Sequence, residues 1–294
     1  MKKLLLIAVA ITLLWGYSLA EELEYFQTYK LKEGMSADEI MRIKYFNKYT
    51  LFAHDLQYTG RLYLIDKSGQ TRERSTLRKR IIIGSKSTGI SYKDLAVVTA
   101  PAQVKGLANL SWTYLDPNRE PNIWLWLPSL RKTKKISIAN ADDSFTGTDF
   151  TIEDIISRKF EDETYKLVKE EIFSGYTSEF MKKTYYKDTP CYVIEAIPKK
   201  VNWYYTKRLV WVDKNYGSNI YEEKYDAKGR KFQVLFRWYE IFNVNSKEYP
   251  IPMFAEGRNL RSGHCSEIVN GNCKLDQGLS EEEFSEGVLS HSHW

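Results

Sequence analysis

Apolar and polar residues alternate along most of this chain, with a period of two that predicts β-strands. Between residues 55 and 241, short runs rich in aromatic and β-branched residues are separated by turn-forming stretches such as Asp226-Ala227-Lys228-Gly229. This alternation gives each strand one apolar face, and the spacing of strands and turns indicates an antiparallel arrangement. The predicted strands cover residues 56–64, 72–83, 95–99, 107–114, 123–127, 136–139, 164–172, 181–186, 191–197, 204–212, 220–225 and 232–241.

Near the start of the chain the pattern is that of a helix. Ser36 and Glu39 fit a capping box, in which each side chain bonds a backbone N–H group that the helix leaves free. Ile40 and Ile43 begin an apolar stripe, so we expect a helix that lies over the sheet as a lid. A second, shorter helical turn is expected at residues 149–154, where acidic residues would occupy the first turn.

Two predicted strands carry polar or charged residues at alternate positions. In the last strand Phe236 and Trp238 fall on one face, and Gln233 and Arg237 fall on the other, which we expect to face solvent. The run from Arg72 to Arg80 also predicts a solvated strand face. A patch for anionic lipid or for a protein partner is the alternative.

The first twenty residues have the three parts of a secretory signal peptide. Met1-Lys2-Lys3 is basic, Leu4 to Trp15 is apolar, and Gly16 to Ala20 ends in small residues. We expect cleavage after Ala20 and release into the periplasm, because the apolar run is shorter than the roughly 20 residues of a membrane span and no cysteine follows it for lipidation. The rest is predicted as one domain over residues 21–258, with residues 259–294 as a C-terminal extension of uncertain structure that packs on it.

Composition supports a β-rich protein and argues against one class of partner. Aromatic residues make up 14% of the chain, with 21 tyrosines, and such residues favour strands with large buried faces. The formal net charge is +5, from 43 basic and 38 acidic side chains. Two of the basic side chains belong to the predicted signal peptide. Because the remaining charges are nearly balanced, we expect no nucleic-acid partner.

The cysteines predict a disulfide rather than a metal site. Cys265 and Cys273 are close enough in sequence to close a small loop in an oxidising compartment, whereas Cys191 lies in an apolar run and is expected to be a buried thiol. The nearby residues His264, His291 and His293 are zinc-type ligands, but their spacing fits no standard zinc motif. We therefore assign no metal ligand.

Two patterns suggest catalysis, and each has a simpler explanation. Ser129 and Lys132 have the S-x-x-K spacing of serine acyl-enzymes, but the companion motifs are missing. An acidic group could supply a carboxylate pair for hydrolysis. Helix capping accounts for most of that group without chemistry. Its members are Asp142, Asp143, Asp149, Glu153 and Asp154. We assign no catalytic residue, and a hydrolase remains an alternative.

A set of aromatic residues could line an apolar cavity or simply fill the core. Its members are Trp112, Tyr114, Trp124, Trp126, Phe145, Phe150, Phe236 and Trp238. The basic stretch that begins at Arg131 and Lys132 could bind head groups at the rim of such a cavity. A solvated loop is the alternative.

Several motifs together resemble the outer-membrane lipoprotein-sorting protein family, which is related to the LolA and LolB lipoprotein carriers. They are Thr99-Ala100-Pro101, Val104-Lys105-Gly106, Trp112-Thr113-Tyr114, Trp124 to Lys132, Asp143 to Phe150 with Glu153-Asp154, Lys207 to Asp213 and Glu223 to Gly229. The likeness covers roughly residues 29–258. It implies a mainly β, α+β fold: a strongly curved antiparallel sheet that forms an incomplete barrel, with a few helices across its open side and an apolar cavity beneath them.

The same resemblance implies a non-enzymatic carrier without a cofactor. We expect a periplasmic carrier or chaperone that moves a lipid, lipoprotein acyl chains or another hydrophobic molecule between the inner and outer membranes and touches each membrane transiently. The expected partners are an inner-membrane lipid exporter and an outer-membrane acceptor. An envelope hydrolase and a module that only tethers a lipid exporter are the alternatives.

Overall fold

The computed structural model describes residues 28–49, 53–137 and 142–291. The predicted signal peptide and His293 lie outside the described residues, as does the side chain of His291. The helices are α1 (Ala37–Tyr49) and α2 (Glu286–His291), with a π-helical turn at Glu153–Ser157 and 3-10 turns at Phe160–Asp162 and Glu281–Phe284. No helix among the described residues has both the length and the apolar character needed to cross a membrane.

Fifteen strands account for most of the part of the chain that the structure describes. They are β1 (Asp55–Ile65), β2 (Thr71–Ser85), β3 (Ile90–Ala100), β4 (Ala108–Tyr114), β5 (Asn122–Leu127), β6 (Lys132–Ile136), β7 (Glu163–Phe173), β8 (Tyr176–Ser178), β9 (Lys183–Tyr185), β10 (Thr189–Pro198), β11 (Lys207–Asp213), β12 (Asn219–Tyr225), β13 (Lys231–Val244), β14 (Lys247–Asn259) and β15 (His264–Leu275). Thirteen of them form one antiparallel sheet in the order β6-β5-β4-β3-β2-β1-β15-β14-β13-β12-β11-β10-β7, and β8 and β9 form a separate hairpin.

The sheet consists of two meanders joined at their centre by β1 and β15. β15 pairs with β1 on one side and with β14 on the other; for example, Leu62 lies opposite Ile268. The C-terminal segment, which the sequence pattern leaves without a predicted structure, therefore supplies a central strand of the same sheet, β15. The boundary predicted at residue 258 falls at the end of β14, and no linker separates this segment from the strands before it.

β14 contains two prolines, which explains why its pattern did not predict a strand. Pro250 and Pro252 pair with β13 only, because the pairing of β14 with β15 is confined to Phe254–Asn259. A proline lacks a backbone N–H donor, so it fits where the strand has a neighbour on one side alone. The half of β14 that has neighbours on both sides contains no proline.

β6 and β7 lie at the two ends of the strand order, so the sheet is not closed into a barrel. The chain between them, residues 137–162, runs from one end of the sheet to the other; we call its described part, residues 142–162, the crossing segment. This confirms the predicted fold class, a large antiparallel sheet with few helices and an open side.

The face of the sheet under α1 and the crossing segment, here the lid face, has an apolar core next to α1. Ile40, Met41 and Tyr45 of α1 pack on strand residues that include Ile82 and Ile194. The capping box predicted at Ser36 is present, since Glu39 accepts from the backbone N–H of Ser36 and its own N–H donates to the Ser36 hydroxyl. The predicted lid helix therefore forms and packs as expected.

The other face of the sheet, here the opposite face, is covered by two different parts of the chain. The β8–β9 hairpin places Tyr185 on Phe236 and Phe254. The C-terminal segment places Phe284 and Leu289 on a cluster formed by Leu95, Val97, Ala108, Leu110 and Trp124. The large aromatic side chains of Trp112, Trp124, Trp126 and Phe236 lie on this face.

The predicted disulfide between Cys265 and Cys273 is not compatible with this fold. Both cysteines lie on β15, eight positions apart, which in an extended strand is about 26 Å. A disulfide joins Cα atoms less than about 7 Å apart. All three cysteines are free thiols, and Cys191 is buried as expected.

Candidate ligand-binding site

The crossing segment begins with a tight turn that its own side chains stabilise. The Thr148 hydroxyl donates to the carbonyl of Phe145, and the Phe150 N–H donates back to Thr148 Oγ1. Gly147 has φ +82°, a left-handed conformation that glycine adopts without strain. This turn accounts for the Ser-Phe-Thr-Gly-Thr-Asp-Phe motif, because it directs Asp149 and Phe150 toward the sheet.

Asp149 and Phe150 hold the crossing segment on the centre of the sheet. Asp149 Oδ2 lies 2.5 Å from His264 Nδ1 and accepts a hydrogen bond from Ser266 Oγ at 2.7 Å. The Phe150 ring lies against Gly257, where an added Cβ would be 3.3 Å from the ring. The motif therefore anchors the segment to β14 and β15. Ser266 and His264 both contact the same carboxylate oxygen, an arrangement that positions the segment rather than activating a hydroxyl.

The helical turn that follows is capped and then tied to β12. Asp154 Oδ2 accepts from the backbone N–H of Thr151, and the Asp154 N–H donates to Thr151 Oγ1. The Asp154 carboxylate also receives both a Lys224 ammonium, at 2.8 Å, and the Arg158 guanidinium, at 3.0 Å. The acidic turn predicted here exists, and its carboxylate continues into a buried network of charges.

This network, the central ion-pair cluster, contains four acidic and four basic side chains, all buried on the lid face. They are Glu153, Asp154, Arg158, Glu163, Arg208, Glu222, Lys224 and Arg237. Arg158 Nε donates to Glu153 at 3.0 Å, and Arg208 Nη2 donates to Glu163 at 2.6 Å. Such charges are stable inside a protein only when each has partners.

Glu222 of β12 is the acid at the centre of the cluster. It accepts from Arg237 Nη1 at 2.6 Å and from Arg208 Nη1, and Arg158 Nη1 lies 3.8 Å away. Three tyrosine hydroxyls complete the network around the other acids. The Tyr204 hydroxyl donates to Glu153, while those of Tyr45 and Tyr205 donate to Glu163.

Electrostatics keep the cluster ionised despite its burial. Burial alone would raise the pKa of Glu163, but the Arg208 guanidinium lowers it to about 2. For Asp154 burial acts the same way, and Lys224 and Arg158 hold its pKa below the ordinary value. Burial lowers the pKa of Lys224 to about 8, although Asp154 opposes this shift.

A cavity of about 80 Å³ lies between the lid face, α1 and the crossing segment. One part of its wall is apolar and includes Leu56, Phe150, Ile155, Pro252 and Ile268. Pockets that bind drug-sized ligands are larger, at about 300–1,000 Å³. In this closed form the cavity cannot hold a hydrocarbon chain unless the crossing segment moves.

The other part of the cavity wall is cationic. It includes Lys48 of α1, Arg78 and Arg80 of β2, and Arg237 of β13. The predictions that Arg237 and the Arg72–Arg80 run face solvent were therefore wrong for the buried members. The alternation of polar and apolar residues in these two strands was predicted correctly, but their polar face lies under the crossing segment rather than in water. Arg72 is exposed, as expected.

A second, larger pocket of about 270 Å³ opens where the two ends of the sheet approach each other. Its wall includes Glu153 and Tyr205 of the central network, together with Lys159, Lys200 and Trp203. Glu153 lines this outer pocket and Asp154 lines the inner cavity. The cluster therefore stands between the two spaces.

Most of the aromatic residues proposed as cavity lining lie on the opposite face. Trp112 packs on Trp124 with ring centroids 5.2 Å apart, and its Nε1 donates to the carbonyl of Phe284. Trp126 packs against the same cluster. Phe236 and Trp238 lie under the β8–β9 hairpin. These side chains fill the core beneath covers that the chain itself provides.

The remaining proposed lining residues behave differently. Phe150 lines the inner cavity. Phe145 packs beside it on the lid-face cluster of Ile123 and Ile152. The Tyr114 hydroxyl accepts from Asn122 Nδ2 at 2.7 Å, and its ring stacks with Arg119. Phe150 is thus the one member of the proposed set that the structure puts in the wall of the inner cavity.

The proposed rim residues lie at one end of the sheet. Arg131 lies in the turn between β5 and β6 with φ +47°, and Lys132 is the first residue of β6; both are exposed. Neither lines the inner cavity, the outer pocket or the shallow groove beside it that includes Lys135 and Lys200. Ser129 is exposed in the same turn, so its S-x-x-K spacing places it on the surface.

The acids considered for hydrolysis do not form a free carboxylate pair. Asp142 and Asp143 are exposed, Asp149 bonds His264 and Ser266, and the other two carboxylates are ion-paired with Arg158. Sequence reasoning missed the basic partners of these acids. The sequence does contain a signal for these partners. Charged residues occupy lid-face positions in strands that are otherwise apolar, as Arg237 does two positions after Leu235.

A separate carboxyl pair lies on the opposite face, where Glu256 of β14 faces Glu267 of β15. Ligand atoms of both and of Cys265 lie within 4.8 Å of one another. Tyr176 and Arg258 already bond Glu256. Burial, together with a hydrogen bond to Glu256, raises the pKa of Glu267 to about 10. A proton held between the two carboxyl groups accounts for their approach without a metal ion.

Comparison with solved structures shows that this architecture is similar to LolA-like folds. A Vibrio parahaemolyticus domain described as an outer membrane lipoprotein-sorting protein is 25% identical, with a TM-score of 0.71 over 86% of this chain and 98% of that chain. A DUF1329 family protein from Desulfovibrio piger is 23% identical, with a TM-score of 0.67 over 80% of this chain and 91% of that chain. A LolA superfamily protein from Nitrosomonas europaea is 17% identical, with a TM-score of 0.57 over 86% and 99%.

These similarities confirm the resemblance found in the motifs, and the chain has a lipoprotein-sorting, carrier-type fold. Residues 91–291 match the profile of a family described as "uncharacterized protein", and the chain belongs to that family. No curated protein matches the sequence significantly.

Proposed function

We propose that this protein is a periplasmic carrier that shelters one hydrophobic or amphiphilic molecule, such as a lipid or the acyl chains of a lipoprotein, beneath the crossing segment. The cargo would move between the inner and outer membranes, from a lipid exporter to an outer-membrane acceptor. The observation that carries this proposal is the inner cavity. It lies between the sheet and a segment that is anchored by side-chain contacts, and part of its wall is apolar.

The energetics of an acyl chain explain why such a carrier is useful. An exposed chain of about 14 carbons costs on the order of 10 kcal/mol in water, at about 0.8 kcal/mol for each CH₂ group. Unaided transfer across an aqueous compartment is therefore slow. A protein that covers the chain removes much of this barrier, provided that the covering segment can open at each membrane.

The contacts of the crossing segment suit it to open as a unit. Its anchors to the sheet combine polar contacts, through Asp149 and Asp154, with apolar contacts of Phe150 and Ile152. Displacement of the turn at residues 145–151 would join the space under Phe150 to the cavity. The rest of the lid-face core, under α1, involves other residues and can remain packed.

The test combines cargo identification with transfer. The mature protein, purified without detergent, is extracted with organic solvent and analysed by mass spectrometry, beside a control protein handled in the same way. Transfer of a pyrene-labelled phospholipid from donor to acceptor vesicles is then measured. We expect a co-purified lipid or acylated peptide and faster transfer when the protein is present.

Two matched variants locate the cargo. Phe150→Leu alters the cavity wall, and Phe236→Leu makes the same change on the opposite face; these phenylalanines are 1% and 0% exposed. We expect the first variant to change transfer and the second to leave it intact. Clean extracts together with no transfer would contradict the carrier and favour a tethering module or a hydrolase.

A further inference from the structure

The inner cavity has an unbalanced charge distribution. Four cationic side chains line it, Lys48, Arg78, Arg80 and Arg237, against the single carboxylate of Asp154. That carboxylate is already bound by Lys224 and Arg158. A wall with this composition attracts an anion, because opposite charges interact strongly where water is excluded.

The imbalance extends to the groups around the cavity. Arg78 and Arg80 both bond one carboxylate, that of Asp94. The central ion-pair cluster has equal numbers of acids and bases, and two lysines of α1 stand beside it. Lys44 is buried, whereas Lys48 is half-buried and its ammonium donates to the carbonyl of Asp154. The pKa of Lys48 is lowered, first by burial and then by the neighbouring positive charges of Arg237 and Lys44.

Buried donor groups of this region lack protein acceptors. Within the described part of the chain, Lys44 Nζ, Arg158 Nη1 and Arg237 Nη2 have no hydrogen-bond partner. All three side chains are at most 5% exposed. Buried donors are nearly always satisfied in native proteins, by protein, water or ligand. Arg237 also lines the cavity, so a residue with an unsatisfied donor group forms part of its wall.

We propose that the inner cavity binds the anionic group of an amphiphile, a phosphate or a carboxylate, between Lys48 of α1 and Arg237 of β13, with Arg78 and Arg80 facing it. This inference rests on the proposed carrier function and names the chemical class of its cargo. The hydrocarbon part would continue along Phe150, Ile155 and Ile268, which form the apolar wall of the same cavity.

The test compares two amphiphiles that differ only in charge. Binding of oleoyl lysophosphatidic acid and of monooleoylglycerol, which share acyl chain and glycerol, is measured by titration calorimetry below their aggregation concentrations. Inorganic phosphate is a third ligand that reports a free-anion site. We expect the phosphate-bearing amphiphile to bind about tenfold or more tightly than the neutral one, as charge-assisted hydrogen bonds predict.

The controls use two lysines on opposite faces of the sheet. Lys48→Met should bring the affinity ratio of the two amphiphiles close to one. Lys93→Met should leave the ratio unchanged, because Lys93 pairs with Glu281 on the opposite face. Each variant is first checked for folding by circular dichroism.

The outcomes separate this inference from the carrier function. Equal binding of both amphiphiles by the unmodified protein would overturn the anion site and leave the carrier intact. Failure of both to bind would overturn both proposals. Phosphate binding as tight as that of the phosphate-bearing amphiphile would support the anion site and identify a free anion, rather than a lipid head group, as its source.

Discussion

The two faces of the central sheet are buried in opposite ways. The opposite face is filled by aromatic side chains such as Trp124 and Phe236, under covers formed by the β8–β9 hairpin and the C-terminal segment. The lid face carries an apolar core under α1, and beside it a buried network of charges and a small cavity. The largest aromatic residues therefore indicate the opposite face, whereas the inner cavity lies on the lid face.

The difference reflects what each face must do. Aromatic side chains pack densely and offer no specific site for a ligand, so they suit a face that stays closed. Buried charges are costly unless they are paired, and they form one well-defined arrangement that a ligand can complete or disturb. The lid face therefore has the features of a binding site, whereas the opposite face has those of a structural core.

The largest effect should come from removing the central acid of the lid face. Glu222→Gln would leave Arg208 and Arg237 without their shared carboxylate. We expect the free energy of unfolding to fall by about 3–5 kcal/mol, as for other broken buried ion pairs. Urea denaturation at pH 7, followed by circular dichroism, measures this change.

The control for that variant is an ion pair of the opposite face. Glu281→Gln breaks the contact with Lys93, but the Glu281 side chain is half exposed. We expect a loss of about 0–1 kcal/mol, as for other surface pairs. A similar loss in both variants would mean that the two faces do not differ in their dependence on charge.

Glu267 is a buried polar residue on the otherwise aromatic opposite face, and its protonation gives a second prediction. Its folded pKa, raised to about 10 by burial and by Glu256, lies above the ordinary value of 4.5. Between these values the folded state holds more protons than the unfolded state, so stability declines as pH rises from 4.5 toward 10. Glu267→Gln removes this titration, and we expect a flatter dependence of the unfolding free energy on pH and a variant more stable than the parent at pH 9.

Glu256→Gln separates burial from pairing. Glu256 bonds Tyr176 and Arg258, so its replacement breaks contacts at every pH and should lower the unfolding free energy at pH 5 and pH 9 alike. If the parent protein were equally stable at pH 5 and pH 9, the shared proton assigned to this pair would be wrong.

The alternation of apolar and polar residues predicted most strands. It could not show which part of the chain covers each face of the sheet. Gln233 and Arg237 lie on the lid face and Phe236 lies on the other one, as the alternation predicts. The lid face is covered there by residues 142–162, and sequence gives no sign of this contact. The cluster joins side chains far apart in the chain, such as Glu163 with Arg208 and Asp154 with Lys224. Such pairs are invisible to local pattern.

The two missed strands of the central sheet have physical reasons. Pro250 and Pro252 weaken the strand pattern of β14, and Asn270, Gly271 and Asn272 weaken that of β15. β15 is stabilised instead by neighbours on both sides and by the contact of Ser266 with Asp149. The motif at Asp143 to Phe150 indicates the family from sequence alone, whereas β15, the strand that it contacts, was not predicted.

The smallest effect concerns motion, and two adjacent residues can report on the two faces. Ile268 lines the inner cavity, whereas Val269 packs under the β8–β9 hairpin. Ile268→Cys and Val269→Cys are made in a variant whose native cysteines are replaced by alanine, and the rate of thiol labelling by a maleimide is measured with and without oleoyl lysophosphatidic acid. We expect the amphiphile to slow labelling at position 268 about fivefold, equivalent to about 1 kcal/mol, and to leave position 269 unchanged.

This pair tests the comparison itself, because the two positions share a strand and differ only in the face on which they lie. Protection at 268 alone means that the ligand occupies the lid face while the hairpin remains closed. Protection at both positions would show that binding tightens the whole sheet, and protection at 269 alone would place the ligand under the hairpin. The last result would make the aromatic face the binding site and the charged face a structural one, reversing the roles assigned to them.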